Sequence, residues 1–206
     1  MTSIRDYLSK SPVGLIVLAG VCLTLALISC RGTTGFVNIW GAVEADDPVL
    51  IEKYAKAGGD LNIVGFNGWT PLYQALYDHK GRAYEKLLEL GADPNFVMEG
   101  GRVVTNMAAN ERGVFWLEKA LEHGGDPNLL VPNTTSRFKG RPLLYAMQGM
   151  YYTFAMVRLL VEHGADINLT ESDGRNYLDI ALARAKLDAV LYFLDQGAEY
   201  NLRWTL

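Results

Sequence analysis

"HGADIN" (residues 163–168) ends an apolar run, and the chain writes the same turn four more times: "AGGDLN" (57–62), "LGADPN" (90–95), "HGGDPN" (123–128) and "QGAEYN" (196–201). Counted from Asn to Asn, the steps are 33, 33, 40 and 33 residues. A fixed period of this length decides the architecture before any local pattern does. Each unit is one supersecondary element that buries its apolar flank only against a neighbour. Between the turns lie runs with helical spacing: "VLIEKYAKA", "YEKLLEL", "FWLEKALEH", "MVRLLVEH" and "AVLYFLDQ". Gly59, Gly91, Gly125, Gly164 and Gly197 read as the residues that end these helices in a left-handed conformation, which suits a residue without Cβ.

A second marker keeps the same phase. "TPLYQA" (70–75), "VVTNMA" (103–108) and "NYLDIA" (176–181) each begin eight residues after an Asn of the turn. Pro71 and Pro142 sit where a first helical residue lacks its N–H without loss. Asp47 before Pro48 reads as an N-cap and first turn. Ala42, Ala75, Ala108, Ala146 and Ala181 are small, as close helix stacking requires. This pattern resembles the ankyrin repeat, whose signature is T-P-L-H-x-A on a 33-residue spacing. Only 70–75 keeps Thr-Pro-Leu, and the signature His is replaced by Trp40, Tyr73, Asn106, Leu144 and Asp179. The resemblance implies an all-α solenoid of about five helix-turn-helix repeats with short β-hairpin loops: 35–66, 67–99, 100–136, 137–172 and 173–206. The first and last serve as caps.

The N-terminus is different material. Arg5 and Lys10 precede "VGLIVLAGVCLTLALIS" (13–29), seventeen residues without a charge. Charge, apolar run and small residues follow the order of a secretory signal, and the run is also just long enough for a marginal spanning helix. "LISC" (27–30) resembles a bacterial lipobox, which implies removal of 1–29 and lipidation of Cys30. The alternative is an uncleaved anchor helix. Either leaves the body membrane-tethered on the far side, by a short tether (30–35) whose residues 31–35 reach about 17 Å. Arg31 is not the Asp that marks inner-membrane retention among such lipoproteins, so the expected location is the periplasmic side of the bacterial envelope, with the outer membrane favoured.

The 40-residue step carries seven extra residues. Five enter "LLVPNTTSRFKG" (129–140), and two enter the turn near "GMYYTF" (149–154). Solenoid insertions fall on loops, often on the binding face, although a tolerated surface insertion explains them too. Arg137, Phe138 and Lys139 give this finger a basic, aromatic tip. Ankyrin proteins generally bind through hairpin tips and the exposed face of the first helix. Carried over by phase, those positions include Val64, Phe66, Trp69, Tyr77, Arg102, Gln148 and Arg175. The competing account of Phe66 and Trp69 is that they fold back over the first repeat and complete its cap.

A formal net charge of −4 argues against nucleic acid as a partner. Neither Ser136 nor Ser172 lies in a nucleophile elbow, and no phosphate-cradling glycine loop occurs. His123 and His163 repeat at helix ends, where a cation is favoured, which accounts for them without a metal. In "DINLTESDG" (166–174), Glu171 stands where a calcium loop requires Gly. The expectation is a non-enzymatic module with no cofactor and no small-molecule substrate. Lipobox-bearing ankyrin proteins of this size resemble immunity proteins that neutralise phospholipase effectors of type VI secretion. The alternative is a scaffold for an endogenous envelope enzyme, as in oxidative-stress protection.

Overall fold

The computed structural model describes residues 38–110, 114–131, 140–149 and 151–199. The apolar run 13–29, Cys30, Arg137, Phe138 and Lys139 lie outside the described residues. Among the described residues ten helices follow in pairs: α1 (Ile39–Glu44) and α2 (Pro48–Lys56), α3 (Pro71–Tyr77) and α4 (Gly81–Glu89), α5 (Val104–Ala108) and α6 (Phe115–Glu122), α7 (Pro142–Gln148) and α8 (Phe154–Glu162), α9 (Tyr177–Ala183) and α10 (Leu187–Asp195). Among the described residues no helix is long and apolar enough to cross a membrane.

Short helices of this kind are marginal alone, so their ends are closed by side chains. Asp47 accepts from the Val49 and Leu50 amides, and Thr70 accepts from Tyr73 N at 3.2 Å. Asn176 and Asp179 form a reciprocal capping box at the start of α9. One cap crosses between repeats: Asp46, held at φ 51°, offers its carboxylate to Ala83 N at 2.7 Å in the first turn of α4. Pro71 and Pro142 open their helices as the first-turn rule requires.

First helices stack in the row α1, α3, α5, α7, α9, and second helices pack as α2 on α4, α4 on α6 and α8 on α10. Ala42, Ala75, Ala108, Ala146 and Ala181 are buried where the first helices approach one another. Leu72, Leu87, Leu117, Leu143, Leu160 and Phe193 fill the space between the rows. Burying side chains of this size stabilises by roughly 1.5–3 kcal/mol each, and only the neighbouring pair supplies the cover.

Two expectations need correction. Among the described residues the inter-repeat tips contain no strand. Each closes with a single cross-loop bond, from Gly65 N to Trp69 O, Met98 N to Arg102 O or Glu171 N to Arg175 O, followed by a tight turn. One bond per tip is too few for a ladder. The left-handed residue also shifts in two turns. Gly58 (φ 82°) and Gly124 (φ 88°) take that conformation, and Gly59 and Gly125 do not. Gly125 is required for space instead, since a Cβ there would lie 2.7 Å from the Ala120 carbonyl oxygen.

The repeated turn itself does two jobs. Within each turn the acid folds the backbone: Asp60, Asp93, Asp126 and Asp166 accept from the amide two residues on, at 2.8–2.9 Å. The Asn then reaches forward. Asn62, Asn95 and Asn128 accept from Asp93 N, Asp126 N and Asp166 N at 2.8 Å, and Asn168 accepts from Glu199 N at 2.9 Å. Asn95 and Asn128 also donate to the Gly124 and Gly164 carbonyls at 2.8 Å. The ladder crosses the 40-residue step with the same length as the 33-residue steps.

A net intramolecular hydrogen bond contributes about 1 kcal/mol. Asn95→Ala therefore lowers unfolding free energy by about 2 kcal/mol in urea titration, and Asn62→Ala, with one forward bond here, by about 1 kcal/mol. Equal losses at the two sites would contradict the ladder account.

Candidate functional site

The tip loop after the first turn projects its apolar side chains outward. Val64 is exposed, and Phe66 is 115% exposed, more open than in an extended reference chain. Trp69 is half-buried and lies on its own helix, with ring centroids 4.9 Å from Tyr73 and 4.7 Å from Tyr77. Its stacking partners thus belong to α3, where the alternative reading had placed it over the first repeat. Asn67 holds the loop by accepting from Trp69 N at 3.1 Å and donating to Gln74 Oε1 at 3.2 Å. Val64 and Phe66 are exposed on the tip loop, and Trp69 joins that loop to the exposed Tyr77 of α3.

Beside them is a cleft of about 450 Å³. Trp40 and Glu44 of α1 form one wall, Gly65, Phe66 and Asn67 the rim, and Gln74 and Asp78 of α3 the other wall. Gly65 packs on the Trp40 indole so closely that a Cβ would lie 2.9 Å from its Cζ2. Gln74 donates in turn to the Asp78 carboxylate. Of the cleft residues, Phe66, Asn67 and Asp78 occupy the tip and first-helix positions to which the repeat phase points. Trp40 appeared only as a substitute for the signature His, and Glu44 carried no signal.

The remaining candidates sit elsewhere. Arg102 is half-buried in the next tip, with Nη1 3.5 Å from the Glu99 carbonyl oxygen. Gln148 is exposed at the end of α7. Arg175 is forked onto Asp173, at 2.9 Å through Nε and 2.6 Å through Nη2, which holds the Asp173 carboxyl below its usual range. His123 and His163 cap α6 and α8, and the His163 Nδ1 lies 2.9 Å from the Leu159 carbonyl oxygen.

The inserted finger has a rigid root that the sequence did not reveal. Asn106 donates to the Gly140 carbonyl at 3.0 Å from the position of the signature His. Gly140, at φ 113°, turns the chain onto Arg141, whose guanidinium donates to Thr170 O at 3.0 Å and lies 3.7 Å from Glu171 Oε1. The same buried carboxylate accepts from the Tyr177 hydroxyl at 2.5 Å. Burial first, then the Glu171 charge, pushes the Tyr177 hydroxyl up, and burial pushes that of Tyr145 up to about 12. Glu171, noted in the sequence only for spoiling a calcium loop, is the anchor of repeats four and five.

The second part of the insertion also touches a neighbour. Five residues (149–153) connect α7 to α8, against three between α3 and α4. Tyr152 from this turn donates to Asp188 Oδ1 at 2.6 Å, and Lys186 stands 3.9 Å over its ring. A signal for this contact was the aromatic pair in "GMYYTF", but its partner lies 36 residues away.

Removing one partner of a buried ion pair costs more than the pair contributes, because a charge is stranded. Glu171→Ala therefore destabilises by about 3 kcal/mol, and Tyr177→Phe by about 1 kcal/mol, measured by urea unfolding. A Glu171→Ala loss no larger than that of Tyr177→Phe would contradict this role.

Residues 105–203 match the family model for ankyrin repeats (3 copies). No curated protein matches the chain. The match covers just under half of the sequence, and the Asn ladder continues the same geometry back to Asn62. Ankyrin repeats are generally non-catalytic and act by binding proteins. Residues 105–203 thus carry ankyrin repeats, which suggest a protein-interaction module, and the described residues form a stack of helix pairs.

Proposed function

We propose that this chain is a membrane-tethered ankyrin module facing the periplasm, and most specifically an immunity protein that captures an antibacterial phospholipase effector near the bilayer. The observation that carries the binding role is the outward presentation of Phe66 and Tyr77 by the helix stack. Large aromatics on a fixed scaffold lose little entropy on binding and dominate interface energetics. The tethered location is supported by the charge, apolar run and "LISC" order ending at Cys30. Arg137, Phe138 and Lys139 give the finger a chemistry complementary to an acidic surface on the same partner.

Four measurements test this reading. Labelling cells with an alkynyl fatty acid should mark the wild-type protein and leave Cys30→Ser unmarked; an unlabelled wild type overturns lipidation. Crosslinking in whole cells followed by affinity capture should recover a secreted lipase. Deleting the gene should then make cells sensitive to that lipase exported to their own envelope. Cells that remain unharmed overturn the immunity role, and recovery of a resident envelope enzyme instead supports the scaffold reading. Phe66→Ala should weaken capture by about 2 kcal/mol, roughly thirtyfold in Kd, with an unchanged melting temperature. Undiminished capture would move the contact away from the first tip.

A further inference from the structure

Two acidic groups stand where helix geometry disfavours them. Glu44 is the last residue of α1, and Asp78 is the C-cap of α3. The free carbonyls of a helix end make negative charge unfavourable there and positive charge favourable. Both carboxylates line the same cleft, and neither forms an ion pair with a cation among the described residues. Asp78 accepts one hydrogen bond, from Gln74, which leaves it acceptor capacity toward the cleft. Acids placed against the local field and left without a cation are poor candidates for a stabilising role.

Two aromatic side chains, Trp40 and Phe66, line the cleft with them. Phe66 offers an open ring face at the rim, and Trp40 forms part of the lining beneath Gly65. Gly65 matters for space: any side chain there would collide with the Trp40 ring. A π-face beside two carboxylates is matched by a planar cation with forked donors. A guanidinium stacks on aromatic rings and bonds carboxylates in pairs, and an ammonium does only the second well.

We infer that the Trp40–Phe66 cleft receives an arginine side chain from the protein partner, with its guanidinium against Phe66 and its donors shared between Glu44 and Asp78. This deepens the interaction reading proposed above and rests on it. The cleft volume of about 450 Å³ accommodates one such side chain together with part of its backbone. Arginine is also enriched at interface hot spots, and the cleft would supply it with both stacking and charge.

The test uses the full chain in detergent micelles, with Trp indoles labelled with ¹⁵N and the Trp40 signal assigned by its loss in Trp40→Phe. The probes are end-blocked glycine pentapeptides with arginine, lysine, leucine or glutamate at the centre. The arginine peptide should shift the Trp40 signal saturably, lysine more weakly, and leucine and glutamate not at all. Glu44→Gln with Asp78→Asn should weaken arginine binding about tenfold while raising the melting temperature, because it removes negative charge from two helix ends. That opposite movement of binding and stability is a readout that a structural role would not give. If the double variant fails to fold, each single variant should weaken binding about threefold.

Equal shifts from the leucine peptide, unchanged affinity in the variants, or no shift with any peptide up to about 10 mM would overturn the inference. The interaction reading fails separately. If the acid-free variant still captures the envelope partner undiminished, the module stands and the arginine site falls. If no variant or wild-type bait captures any partner, it is the module reading that falls.

Discussion

No single repeat of this protein can satisfy its own turn. The carboxamide of Asn95 accepts from Asp126 N and donates to Gly124 O, both in the following unit, and Asn128 repeats the arrangement toward Asp166 and Gly164. These bonds run alongside the burial of Leu87, Leu117 and Leu160, whose cover also comes from the next helix pair. Local order and long-range order are therefore one event: the turn is complete only when the stack is. That dependence explains why the sequence preserves the turn more faithfully than the helices between.

The long step shows what the constraint permits. Extra residues enter only where they leave the Asn bond intact, between the turn and α7 and between α7 and α8. The cost falls on the second row of helices, where α6 and α8 pack less closely than other successive pairs. New polar contacts offset that loosening. Asn106, Arg141, Glu171 and Tyr177 secure the root of the finger, and Tyr152 with Asp188 ties α7's turn to α10.

Much of this was legible because the local chemistry is local. Asp47 and the helix-opening Pro48, Pro71 and Pro142 announce helix starts within three residues of their own positions. The apolar periods announce the helices. What escaped were interactions between residues a repeat apart. The Asp46 cap on Ala83 spans 37 positions, and the Glu171 bond to Arg141 spans 30. Phase errors arose where two glycines adjoin: in "AGGDLN" and "HGGDPN" either fits the motif, and only backbone geometry separates the left-handed Gly58 and Gly124 from Gly59 and Gly125. Among the described residues the strands implied by resemblance are absent, since each described tip closes on a single bond. The cleft was half visible: Phe66 stood out as an apolar residue in a loop, whereas Glu44 is unremarkable until α1 and α3 are brought side by side.

The central claim is that one uninterrupted ladder runs through the 40-residue step and makes the repeats a single stack. Native-state hydrogen exchange at the amides of Asp93, Asp126, Asp166 and Glu199 reads it directly, since each donates to an Asn of the preceding turn. The account predicts that Asp166 N is protected to the same degree as Asp126 N. Exchange of Asp166 N at the rate of an open loop, with Asp126 N still protected, would show that the stack breaks at the insertion and would contradict it.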